Sequence, residues 1–110
     1  MSLKERLQTE RSVRQEKAIA KALGGRRVAG SGSQPGSKGD VACGRFLIEA
    51  KQTTGKGYRL TQAVWVKIYS EAVKTAREPV LVVDIGGRQL AVLDFEVFKA
   101  LKACFEQNAI

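Results

Sequence analysis

A chain of 110 residues with 44% hydrophobic side chains is the size of one domain around one core, and it contains no apolar run long enough to span a bilayer. Its 19 Lys and Arg against 11 Asp and Glu leave a net charge of +8, and there is no histidine. That absence removes Ser-His-Asp and Cys-His triads, histidine-ligated zinc and histidine-based phosphodiester cleavage. Any hydrolysis must run on carboxylates, amines, hydroxyls and a hard metal ion. Cys43 and Cys104 are too few and too far apart for a structural zinc or a disulfide framework, and read as reduced, packed side chains. The N-terminal MSLKERLQTERSVRQEK lacks the apolar centre of a secretory signal, and its Glu5, Glu10 and Glu16 are foreign to a transit peptide. The expected address is the cytoplasm, with no membrane association.

The charge is uneven. Residues 1–27 carry eight Lys/Arg against three Glu, residues 28–60 five against two, and residues 61–110 balance at six and six. All the excess lies in the first sixty residues, which points to a polyanion partner, most economically nucleic acid.

In chain order, residues 3–23 read as a helix with Lys21 in its last turn and Gly24-Gly25 as its stop. On a wheel of 100° per residue with Val13 at zero, Glu16 falls at about 300°, inside the stripe formed by Ile19, Ala20 and Leu23. An acid on a buried face needs a partner or a purpose; here either Arg26 or Arg27 pairs with it, or it serves a site. RRVA follows as a short strand, then GSGSQPGSKG as a loop of small residues that cannot pack. That loop fails the spacing of a nucleotide-binding phosphate loop, so no nucleotide cofactor is expected. Ser31, Ser33, Ser37 and Lys38 nevertheless offer phosphate donors.

Asp40-Val-Ala and Arg45 through Lys51 form a predicted hairpin about Cys43-Gly44. On the second strand Leu47, Glu49 and Lys51 share one face. A two-residue turn at Cys43-Gly44 sets Asp40 opposite Leu47, diagonal to Glu49 on the same face; a three-residue turn would reverse the parity. A polar loop with Lys56, Tyr58 and Arg59 leads to a helix from a Thr61 cap through Arg77. Its broad band of Val64, Trp65, Ile68, Tyr69, Ala72, Val73 and Ala76 is expected to lie across a sheet. Pro79 opens a nearly all-apolar strand, VLVVDI, and so a central one; Asp84 near its end reads as structural. Gly86-Gly87 turns into RQLAVL, and Asp94 caps a last helix with Val97, Phe98, Leu101, Cys104 and Phe105 on one face. The order α-β-β-β-α-β-β-α predicts a single α/β domain over residues 1–110, a mixed sheet flanked by helices.

Two carboxylates on adjacent strands with no sulfur or imidazole beside them favour Mg²⁺, with Mn²⁺ as a substitute. Such an ion polarises a phosphoryl oxygen and acidifies water. Lys51, two residues beyond Glu49 on the same face, is placed to orient that water and neutralise developing charge. Arg26, Arg27, Lys38, Lys56 and Arg59 are the candidate phosphate contacts.

Helix-one Glu16, the serine-glycine loop, Gly39-Asp40 and Ile48-Glu49-Ala50-Lys51 together resemble the PD-(D/E)XK nuclease superfamily, and within it the small Holliday-junction resolvases of archaea and phages. The resemblance spans residues of about 10–100, with Gly39 in place of the motif proline. It implies a restriction-endonuclease-like core with Asp40, Glu49 and the Ala50 carbonyl as metal ligands. It further implies Lys51 as the motif lysine, Glu16 as the helix-one glutamate completing the site, and a homodimer matching a two-fold junction. The function expected from it is Mg²⁺-dependent resolution of branched DNA. The alternatives are a nuclease of flaps, nicks or duplex, and a non-catalytic nucleic-acid-binding domain.

Overall fold

A computed structural model describes residues 1–28 and 40–108. The elements are α1 (Leu3–Leu23), β1 (Arg26–Arg27), β2 (Val41–Cys43), β3 (Phe46–Gln52), α2 (Gln62–Lys74), β4 (Glu78–Ile85), β5 (Arg88–Leu93) and α3 (Phe95–Asn108). The five strands form one sheet in the order β1-β2-β3-β4-β5. Every neighbouring pair is antiparallel except β3 and β4. That parallel pair needs a crossover, and α2 provides it. The α/β class and the element order are those expected from the sequence. None of the helices among the described residues is long and apolar enough to cross a membrane.

Local chemistry sets the boundaries. Ser2 Oγ accepts from Glu5 N–H at the start of α1, and Gly24, in the left-handed region at φ 68°, ends it by donating its N–H to Ala20 O. Thr61 Oγ1 caps α2 through Val64 N–H. α2 stops at Lys74 rather than running to Arg77: Thr75 Oγ1 donates back to Ala72 O, and Ala76 has turned left-handed at φ 55°.

The sheet separates two apolar clusters. On one face Ile19 of α1 packs with Val41, Ile48, Ala50, Val80 and Val82; on the other Ala72 of α2 packs with Ala42 and Leu47. β4, buried from Pro79 through Val83, is the interior strand its composition suggests. The band on α2 is narrower than expected: Ile68 and Ala72 are buried, whereas Tyr69 and Val73 are each about half exposed. Cys43 donates to Leu23 O, but Cys104 is exposed on α3 rather than buried as expected.

Candidate metal centre

The β2–β3 hairpin pairs Val41 with Ile48, Ala42 with Leu47 and Cys43 with Phe46. Its turn is therefore Gly44-Arg45, not Cys43-Gly44. Gly44 takes φ 55°, the left-handed first position that a tight hairpin turn of this type reserves for glycine. Moving the turn by one residue shifts the register by two, so the parity survives but the diagonal does not. Continued one step, the pairing sets Asp40 directly opposite Glu49 rather than opposite Leu47.

Glu71 of α2 joins them from above the sheet. One carboxylate oxygen from each of Asp40, Glu49 and Glu71 lies within 4.8 Å of the others. The three line a small cleft with Leu47 and Ile68 that does not admit a water-sized sphere. Water approaches a carboxylate oxygen to roughly 2.7 Å, whereas Mg²⁺ binds at about 2.1 Å. The donor set is all hard oxygen, and the 4.8 Å limit on its spacing is somewhat wider than the roughly 4.2 Å across an octahedral Mg²⁺ ion.

Asp40 is 7% exposed, and its Oδ1 has no hydrogen-bond partner among the described residues. Burial pushes its pKa up to about 9, reinforced by a hydrogen bond to Glu49 and by the negative charges of Glu49, Glu71 and Glu16. Three acids gathered against apolar walls either hold a proton or neutralise themselves with a cation. Lys51 supplies one charge, its Nζ 3.2 Å from Glu49 Oε1.

Glu16 is 3% exposed and lies outside that trio. Its Oε1 receives the Arg27 Nε at 3.0 Å, one of the two pairings foreseen. This pair has a positioning effect: Arg27 stands beside Val41 in the sheet, and Val28 N–H donates to Asp40 O at 2.7 Å. The α1–β1 contact thus holds the backbone of Asp40. The side chain of Ala50 points into the α1-side core, as its place between Glu49 and Lys51 requires.

Two contributors escaped the sequence reading. Glu71 carried a signal, being about 60° from Ile68 on the α2 wheel and so at the edge of the apolar stripe, as Glu16 is on α1. Gln15 carried none: it is buried, and its Nε2 donates to the Lys51 carbonyl at 2.9 Å and to Gln89 Oε1 at 3.1 Å. With Gln52 Nε2 donating to Arg11 O, it fastens α1 to the end of β3 that bears Lys51. Of the candidate phosphate contacts, Arg26, Lys56 and Arg59 are exposed, and Arg27 is divided between solvent and Glu16. Ser31, Ser33, Ser37 and Lys38 lie outside the described residues. Asp84 is structural: Oδ1 accepts from Gly87 N–H and Oδ2 from Gln89 Nε2.

No protein-family model matches the chain, and no curated protein or solved structure is significantly similar to it.

Proposed function

We propose that this protein is a Mg²⁺-dependent endodeoxyribonuclease that cuts branched DNA, resolving four-way junctions by paired phosphodiester hydrolysis. The observation that carries the metal is Asp40: a buried carboxylate with a partnerless oxygen, gathered with two further acids. Asp40, Glu49 and Glu71 would hold the ion; the resemblance adds the Ala50 carbonyl and Glu16. When bound, the ion supplies Lewis acidity at a phosphoryl oxygen and lowers the pKa of water. Lys51, its Nζ 3.2 Å from Glu49 Oε1, would orient the attacking water and offset charge that builds on the phosphate. Arg26, Arg27, Lys56 and Arg59, with Lys38 and the loop serines Ser31, Ser33 and Ser37, hold the backbone without reading bases. The preference for junctions comes from the resemblance to resolvases.

A non-catalytic DNA-binding domain has two ion pairs in its favour, Glu49 with Lys51 and Glu16 with Arg27, which can simply tie elements together. It leaves the bare oxygen of Asp40 without a reason. A labelled four-way junction in Mg²⁺ decides. Glu49→Gln and Lys51→Ala are each expected to lower cleavage at least about a hundredfold while binding in EDTA persists; full activity in either variant sinks the assignment. Side-by-side flap, nicked and linear substrates test the junction preference, which paired symmetric cuts would support.

A further inference from the structure

On the α1 face of the sheet an apolar groove of about 1140 Å³ opens between α1 and α3, with Lys102 and Gln89 as the long polar side chains in its wall. Lys102 is paired with Glu106. Gln89 belongs to a chain of hydrogen bonds that runs from the β4–β5 turn to the backbone of Lys51.

That chain has a fixed direction. Asp84, near the end of β4, is a carboxylate and can only accept. Its Oδ1 takes the Gly87 N–H of the turn and its Oδ2 takes Gln89 Nε2. With its amide nitrogen turned to Asp84, Gln89 presents its oxygen to α1, where Gln15 Nε2 donates to it at 3.1 Å. The same nitrogen donates to Lys51 O at 2.9 Å, so both hydrogens of the Gln15 amide are engaged. Gln15 is 5% exposed, and a buried amide satisfied in this way is rigid.

Lys51 stands where the sheet gives it least support. Among the described residues the β2–β3 ladder ends at Val41 and Ile48, while β3 runs on beside β4 as far as Gln52 and Asp84. Past the hairpin α1 supplies the second hold, through Gln15 to Lys51 O and, one residue on, through Gln52 Nε2 to Arg11 O. Side chains alternate along a strand. Gln52 therefore turns to α1, and Lys51 turns to the acids, its Nζ 3.2 Å from Glu49 Oε1.

We infer that Gln15 is a positioning residue for Lys51: backed by Gln89 and Asp84, it fixes the β3 backbone from which the ammonium reaches the acids. The consequence for catalysis rests on the nuclease reading; the hold on Lys51 does not. Gln15 lies across the sheet from the acids and acts only through the main chain. Its loss lowers turnover and leaves DNA binding alone, because the phosphate contacts lie elsewhere.

Two measurements test it: cleavage of a labelled four-way junction in Mg²⁺, and the side-chain NMR signal of Lys51 without DNA or metal, assigned by its absence from Lys51→Ala. Gln15→Leu, which keeps bulk and loses the donor, is expected to lower kcat about tenfold or more, with KM and binding in EDTA unchanged. In the Lys51→Ala background the same change should cost nothing further under single-turnover conditions. Gln15→Leu should also move the Lys51 signal toward that of the exposed lysines. Gln89→Ala alters an exposed residue of β5, leaves the core intact and should act in the same direction by less. A Gln15→Leu loss that persists in full without Lys51 overturns the inference, as does a Lys51 signal that neither variant moves. A wild type that cuts no DNA overturns the nuclease reading instead, and the Lys51 signal then decides by itself whether Gln15 holds that residue.

Discussion

Asp40 sits where three acids meet, and its protonation is the residue-scale event from which most follows. Its folded pKa is raised to about 9 from an unfolded value of about 3.9. Between those values the folded chain holds a proton that the unfolded chain has released. Metal-free stability is therefore greatest at acid pH and is lost as pH rises through the folded pKa, by at most about 1.4 kcal/mol per pH unit. Melting in EDTA at about pH 5 and about pH 8 should show the wild type losing stability that Asp40→Asn retains; parallel profiles would refute the account. A cation must displace the same proton, so Mn²⁺ affinity should rise with pH. The carboxylates around Asp40 can be sorted by calorimetric Mn²⁺ titration. Glu71→Gln is expected to weaken binding about tenfold or more, and Glu16→Gln, whose loss falls first on Arg27, by less. Equal losses would place Glu16 among the ligands.

At the scale of elements, the site depends on how closely α1 and β1 are drawn to the hairpin. Gly25 marks the tightest approach: a Cβ there would stand 2.6 Å from Ala42 O and 3.0 Å from Cys43 Cβ. Backbone cannot yield as a flexible side chain does, so Gly25→Ala should cost about 1–3 kcal/mol. Gly57, with nothing within 4 Å, should accept alanine within about 0.5 kcal/mol. Urea denaturation of the two variants makes the comparison, and equal stability would show that the α1–β2 contact is looser than drawn. The Gly44-Arg45 turn belongs to the same scale. It changed which residue faces Asp40 without changing the face, because register shifts of two preserve alternation.

Across the whole molecule, the two sheet faces have separate tasks. One, under α2, gathers Asp40, Glu49, Lys51 and Glu71; the other, under α1, carries the larger core cluster and the open groove. Much of this was legible in the residues. Alternation over Phe46–Lys51 put Glu49 and Lys51 on one face, and the glycine pairs ended α1 and turned β4 into β5. These are consequences of local geometry, since strand period and cap preference act within a few residues. What only the tertiary structure decided was long-range. Asp40 meets Glu49 directly because the turn settled at Gly44, and Glu71 arrives because the β3–β4 crossover lays α2 over the hairpin. Glu16 is drawn to Arg27 across the α1–β1 junction, and the apolar face of α3 stays exposed. Sequence determines which side of an element a residue occupies; only the packing of elements decides what stands opposite it.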